Sequence, residues 1–190
     1  MLPTGQLSSS ALRVRKITMS SPGKRRILKR LLLMALLTAM AILLNAFDMA
    51  LTLPVPSVRI GLSHILTIVA LYTMGRKEAL LVVLFKVLLS ALLLGKLASP
   101  SFFIALAGNI AAVFFLTSGF RRMSLIPLSI GGAFCNNLGQ IIVVYFFFIP
   151  RTELLWYFFL MLLGGTVSGL LIGLLAGLII KRVNHAVVDL

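Results

Sequence analysis

Long apolar runs separated by short polar or basic segments dominate the chain from residue 31 to residue 180. A helix needs about 20 residues to cross about 30 Å of hydrocarbon, and shorter or longer runs are accommodated by thinning or tilt. The predicted fold class is an all-α integral membrane protein with six transmembrane helices. They are Leu31–Phe47, Ile60–Met74, Ala79–Leu94, Phe102–Phe120, Ser124–Ile149 and Leu154–Ile180.

The segments outside these runs predict two tails. Residues 1–30 are basic and lack a sustained apolar run, which predicts a cytoplasmic N-terminal tail before a transmembrane domain at 31–180. Residues 181–190 predict a second, short cytoplasmic tail. The basic stretch and the start of the first apolar run resemble a signal peptide, but the run continues through Phe47, which favours a retained helix.

The distribution of cations supports this topology. The chain has 18 Lys and Arg against four Asp and Glu, a balance that in a soluble protein would indicate nucleic-acid binding. Its 60% hydrophobic residues and mean hydropathy of +1.11 exclude an ordinary soluble domain. With the N-terminus in the cytoplasm, fourteen cations lie in inner segments and only Arg59, Lys96 and Arg151 lie in outer loops. This asymmetry predicts cytoplasmic N- and C-termini.

The remaining cation, Lys86, lies inside the third predicted span, and no span contains an acid. An ammonium at the bilayer centre costs at least ~2.5–3.5 kcal/mol, and snorkelling toward an interface is the structural alternative to a functional role. Asp48 falls at the outer end of the first span, roughly half a membrane away, so the sequence predicts no ion-pair partner. An anionic ligand, a water-filled cavity or backbone carbonyls could each accommodate Lys86.

Uncharged polar residues interrupt two further spans. Asn109 lies in the fourth, and Asn136, Asn137 and Gln140 cluster in the fifth. On a helix, Asn136 and Gln140 share one face while Asn137 lies to its side. Carboxamides suit either interhelical hydrogen bonds or a polar ligand, and three within five residues favour the lining of a site.

The first outer loop contains Pro54 and Pro56, which favour an extended backbone, and ends with Arg59. It could close over an outer pocket and bring Arg59 to a ligand, or act as a rigid connector that anchors Arg59 at lipid headgroups. His64, one turn into the second span, is either a helix-packing residue or a ligand contact.

Two patterns of small residues predict close helix packing. Within the sixth span, a glycine recurs at every fourth position, at Gly165, Gly169, Gly173 and Gly177; these residues form the glycine ladder. A shorter pair, Ala35 and Ala39, lies on the first span. Packing within the chain is favoured for the glycines, while a partner-subunit interface stays open for the alanines.

The sequence contains none of the motifs that would indicate catalysis. It has no glycine-rich phosphate loop ending in Gly-Lys-Ser/Thr and no clustered histidines and cysteines. Its acids, Asp48, Glu78, Glu153 and Asp189, are scattered singly, so no pair could hold Mg²⁺ against a diphosphate. The prediction is a protein that is not an enzyme and that holds no cofactor and no metal.

Several segments together resemble the Gx transporter family, whose members often carry the label heptaprenyl diphosphate synthase component I. The resemblance covers roughly residues 31–180 and is carried by Pro54–Ile65, Gly75–Leu80 leading into Lys86, Ser99–Phe102 and Asn136–Gln140. The chain departs from the family pattern at Ser57, His64 and Asn136, where Gly, Asn and His are expected.

That family in turn looks like the substrate-binding S components of energy-coupling factor transporters. The resemblance implies a six-helix bundle in a bacterial cell membrane, an outer loop that covers the substrate, and docking of a transmembrane coupling subunit with ATPases at Ala35 and Ala39. The expected function is binding and transport of a small anionic or amphipathic ligand. The expected substrate-binding residues are Arg59, His64, Lys86, Asn109, Asn136, Asn137 and Gln140.

The alternative function is a non-catalytic membrane subunit that supports prenyl-diphosphate or quinone metabolism, or flavin-linked extracellular electron transfer. Its partner would then be a prenyl synthase or a redox protein rather than a coupling subunit. Neither hypothesis involves nucleic acid.

Overall fold

The computed structural model describes residues 22–50, 61–147 and 154–188. Within these ranges the chain forms α-helices joined by short turns, and no strand. The helices are α1 (Pro22–Ala50), α2 (Ser63–Thr73), α3 (Arg76–Leu93), α4 (Pro100–Gly119), α5 (Leu125–Phe147) and α6 (Leu154–Val188).

Each predicted span overlaps one of these helices, and four helices are long and apolar enough to cross a membrane. Those four stretches are Gly23–Asp48, Pro100–Gly119, Leu125–Phe147 and Phe158–Val183. At 1.5 Å per residue, the 11 residues of α2 extend only about 17 Å. Helix α3 has 18 residues but carries four charged side chains. The all-helical, membrane-like character is therefore confirmed, while six complete crossings and the orientation of the termini stay predictions.

The first and last helices extend beyond the predicted spans. Helix α1 begins at Pro22, inside the basic segment that was predicted as a tail, and α6 continues past Ile180 to Val188. Proline suits the first turn of a helix, and Lys and Arg are good helix formers, so the helix begins before the apolar run does. The division of the chain at residues 30 and 180 stays a prediction.

By its internal contacts the chain divides into two units, Met1–Leu36 and Leu37–Leu190. The structure describes the first from residue 22 onward, as the N-terminal part of α1. In the second, α5 packs along both α4 and α6 in the two most extensive helix interfaces. Helix α2 packs against α3, α4 and α6, and eight of its 11 residues are buried. The most enclosed helix of this unit is therefore also the shortest.

The glycine ladder of α6 packs against α5. A Cβ atom on Gly169 would lie 2.8 Å from the Cα of Ile130, and one on Gly173 would lie 3.1 Å from the Cβ of Ser129. The Ser129 hydroxyl donates a hydrogen bond to the carbonyl oxygen of Gly169 at 2.7 Å. These contacts confirm the prediction that the ladder serves packing within the chain.

Large apolar side chains cover much of the outer surface. Leu43 of α1, Phe114 of α4 and Phe146 of α5 are each at least 70% exposed. Apolar exposure on this scale is typical of a surface that meets lipid. Ala35 and Ala39 are also exposed on α1, and their role as a partner interface stays a prediction.

Candidate functional site

A polar cavity of about 220 Å³ lies in the unit 37–190 and is lined by residues from all six helices. Its lining includes six of the seven side chains that were predicted to bind substrate. These six are His64, Lys86, Asn109, Asn136, Asn137 and Gln140. The seventh, Arg59, lies outside the described residues. The structure therefore brings together residues that are far apart in sequence, and their role in binding stays a prediction.

Lys86 is the buried cation of this cavity. Its side chain is only 2% exposed, and its Nζ donates a hydrogen bond to the Ser63 hydroxyl at 3.3 Å. The ammonium therefore ends inside the protein, which excludes snorkelling as the explanation for its position.

Asp48 shares the cavity with Lys86, contrary to the expected separation of half a membrane. Its side chain is 4% exposed and accepts a hydrogen bond from the backbone N–H of Gly61 at 2.7 Å. Its charge attracts the ammonium of Lys86. The expectation that Lys86 has no acid nearby is therefore wrong.

The reason lies in the α2–α3 hairpin. The two helices meet at a turn of Met74 and Gly75, and Ser63 and Lys86 lie equally far from that turn, each at the eleventh helical residue. Lys86 therefore reaches the level at which α2 begins, next to Gly61 and the end of α1. Hydropathy places the middle of a span at the middle of the membrane, but the shortness of α2 moves this level toward Asp48.

Asn136 and Gln140 share one face of α5 and Asn137 lies to its side, as helical spacing predicted, and the structure shows that the two faces meet different helices. Asn136 and Gln140 meet α4 at Gly108, where a Cβ atom would lie 2.6 Å from Gln140 Cγ and 2.8 Å from Asn136 Oδ1. Asn137 instead meets α6, and its Nδ2 donates to the carbonyl oxygen of Met161 at 2.7 Å. The cluster thus serves helix packing on one side and lines the cavity as well.

Several polar oxygens at the cavity make no hydrogen bond to described residues. The Nδ2 of Asn109 donates to the carbonyl of Ala105 at 2.8 Å, which leaves its Oδ1 buried and without a partner in that part of the chain. The same holds for Asn136 Oδ1, which lies beside His64 outside hydrogen-bond geometry, and for the Ser90 hydroxyl. Buried polar atoms normally have partners, so these three positions could each accept a bond from a ligand or a water.

Sequence reasoning missed part of the polar lining. The additional polar residues are Asn45, Asp48, Ser63, Ser90, Lys96 and Ser101. Helical spacing could have identified Ser90, since it lies four residues after Lys86 and therefore on the same face. Ser63 could have been found by pairing positions across the turn of the α2–α3 hairpin.

The chemistry of the lining suits recognition of a small polar molecule. It offers one buried ammonium, one buried carboxylate, hydroxyls and carboxamides, together with apolar contacts from Val87, Phe102 and Ile104. In the described part of the chain, no three His, Cys, Asp or Glu side chains come close enough to hold a metal ion.

The fold and the cavity define a class, a membrane-type helical protein with an internal polar site. The particular family follows from comparison with known proteins. The family model described as heptaprenyl diphosphate synthase component I matches residues 37–179, and the chain belongs to this family. No curated protein and no solved structure matches the chain. The family label expected from the sequence is confirmed, and the likeness to S components stays a prediction.

Proposed function

We propose that this chain is the substrate-binding subunit of a membrane transport system, and that its cavity takes up a small polar ligand. The observation that carries the proposal is the cavity itself, in which all six helices surround a buried Lys86. The proposed ligand contacts within the described residues are His64, Lys86, Asn109, Asn136, Asn137 and Gln140, while Arg59 of the outer loop lies outside those residues.

The cost of this arrangement supports a ligand. A buried polar atom without a hydrogen bond costs about 1–3 kcal/mol, and a buried charge is costly unless it is paired and hydrogen-bonded. Asn109, Asn136 and Ser90 contribute one such oxygen each, within the same cavity as Lys86. A ligand that forms hydrogen bonds to several of these groups at once would offset the free-energy cost of burying them, which helix packing alone does not offset.

The predicted topology sets the side from which the ligand comes. With both termini in the cytoplasm, the end of α1 and the start of α2 face outward, and the cavity lies at that level. The chain encodes no phosphate loop, so energy for transport would come from a partner. Ala35 and Ala39, exposed on α1, are the proposed contact for a coupling subunit with ATPases.

The test is retention of a cellular ligand. The protein is purified from membranes in mild detergent and analysed by native mass spectrometry, alongside Lys86→Met and the matched variant Lys77→Met, which removes an exposed cation from the same helix. We expect a small molecule bound to the wild type and to Lys77→Met, and lost from Lys86→Met. Equal retention by folded Lys86→Met would refute the role of the buried ammonium.

A second function is favoured by the family description, which names a synthase component. In that case the chain would be a membrane subunit supporting prenyl-diphosphate or quinone metabolism, or flavin-linked extracellular electron transfer, without catalysing chemistry itself. The cavity of about 220 Å³ has a size that suits a small molecule better than a polyprenyl chain. Co-purification separates the two functions, since coupling subunits with ATPases support the first and a synthase or redox protein supports the second.

A further inference from the structure

The charges and hydrogen-bonding groups of the cavity carry an inference about its ligand that rests on the proposed function. We propose that the two opposite buried charges of the cavity, Asp48 and Lys86, select a ligand without net charge, which presents an oxygen acceptor to Lys86 and N–H or O–H donors to the side-chain oxygens of Asn109 and Asn136. This makes Asp48 a specificity-determining residue and replaces the simple anion expected from the cations alone.

The first step is the charge balance. Of the described residues that line the cavity, Asp48 and Lys86 carry the two buried charges, at 4% and 2% exposure, whereas Lys96 is exposed. An anionic ligand attracted by Lys86 would be repelled by the carboxylate of Asp48. A cationic ligand attracted by Asp48 would be repelled by the ammonium of Lys86. Electrostatic interactions are strong where water is excluded, so a net charge of either sign is penalised.

The second step is the orientation of the amides. Only the amino group of a carboxamide can donate, so the bond from Asn109 Nδ2 to the Ala105 carbonyl fixes which end of Asn109 remains unpaired. That end is the Oδ1 acceptor; the Oδ1 of Asn136 also makes no hydrogen bond of adequate geometry to the described residues, although it lies beside the His64 side chain. A ligand that carries N–H or O–H donors could form the hydrogen bonds that these oxygen acceptors lack.

The third step is the acceptor on the ligand. Lys86 donates to Ser63 at 3.3 Å, and an ammonium has three donor hydrogens. A carbonyl oxygen can take one of them without bringing a charge close to Asp48. The combination required is therefore a carbonyl together with N–H or O–H groups on one small molecule, as in an amide.

A series of four probes of nearly equal size tests each part of this inference. Benzamide is neutral with both donors and an acceptor, acetophenone lacks the donors, benzoate is an anion, and benzamidinium is a cation. Binding to the protein in lipid nanodiscs is measured by saturation-transfer NMR titration. We expect benzamide to bind about tenfold more tightly than each of the other three, as expected for a site that leaves polar groups unpaired with the wrong ligand.

Variants of the two charges should change this ranking. Asp48→Asn should shift the preference to benzoate, and Lys86→Met should shift it to benzamidinium. Glu78→Gln makes the same acid-to-amide change on α3 outside the cavity lining and should leave the ranking unaltered. The wild-type ranking stands as a test even if a variant fails to fold.

The outcomes separate this inference from the proposed function. Tightest binding of benzoate or benzamidinium to the wild type, or equal binding of acetophenone and benzamide, overturns the inference and leaves a binding function intact. If no probe binds, the net charge of the molecule retained in native mass spectrometry decides, and a charged molecule overturns the inference. Absence of both probe binding and a retained molecule overturns the proposed function as well.

Discussion

Replacing Gly108 by alanine should push α4 away from α5 at the point where Asn136 and Gln140 line the cavity. The added Cβ would lie 2.6 Å from Gln140 Cγ and 2.8 Å from the backbone oxygen of Asn136. Carbon atoms pack best at about 3.5–4.0 Å, so the helices must separate by about 1 Å, and a gap of that size forfeits a quarter to a half of the dispersion energy between facing atoms.

The net effect follows from two opposing contributions. Overpacking of a tight interface costs about 1–3 kcal/mol, while alanine is favoured over glycine within a helix by about 0.8–1.0 kcal/mol. The difference is about 0–2 kcal/mol, and because one clash is with a backbone oxygen, we expect Gly108→Ala to lower the free energy of unfolding by the upper half of that range, about 1–2 kcal/mol. Among the helices that the structure describes, α4 and α5 share the most extensive interface, which limits how far relaxation can relieve the strain.

The matched control is Gly177→Ala on α6. There the new Cβ would lie 3.1 Å from Leu125 Cδ2, the end of a flexible side chain, so the gain in helix propensity should dominate. Both variants are heated in detergent, and the remaining monomer is measured by size-exclusion chromatography. A midpoint for Gly108→Ala equal to or above that of the wild type, with Gly177→Ala unchanged or raised, would refute the close approach of α4 and α5.

Three further predictions concern packing, orientation and partners. Asn137→Ala removes the hydrogen bond to the Met161 carbonyl and should lower the free energy of unfolding by about 0.6–1.7 kcal/mol, measured by the same heating assay; an unchanged midpoint would contradict a role for this bond. In a cysteine-free background, Ser124→Cys should react with an impermeant thiol reagent only from the cytoplasmic side and Lys96→Cys only from the outside, and the reverse pattern would overturn the predicted topology. Ala39→Leu should abolish co-purification of a coupling subunit while leaving ligand retention intact, and undiminished co-purification would exclude this face of α1 as the contact.

The helices and much of the cavity wall could be predicted because both depend on local composition. Apolar runs predict the helices, and an uncharged polar cluster such as Asn136 to Gln140 is easily recognised where it interrupts an apolar run. Helical periodicity alone predicted that Asn137 lies to the side of the face shared by Asn136 and Gln140, whereas its contact with α6 came only from the structure. Helix bounds were predicted less well, because Lys and Arg continue a helix that hydropathy ends.

The neighbourhood of Asp48 could not be predicted because it depends on tertiary geometry. Hydropathy locates residues along a span, but it does not show that α2 is only 11 residues long or that the chain turns at Gly61, where φ is +75°. These two features place Gly61 where its N–H meets Asp48, and they bring Lys86 to the same level. The presence of both Asp48 and Lys86 in one cavity could therefore be seen only in the three-dimensional structure.

The shortness of α2 has a consequence for the depth of the cavity, because the cavity lies at the end where this helix begins. Helix α2 extends about 17 Å, whereas the hydrocarbon is about 30 Å thick, and the cavity lies at the end where α2 begins. The cavity thus lies beside the start of a short helix, and small lining residues such as Ser90, Ala91 and Gly165 also leave room in its wall. One more or one fewer helical turn at the start of α2 would shift the level at which Ser63 and His64 line the cavity by about 5.4 Å. Relatives could therefore accommodate ligands of different length by moving the start of a single helix.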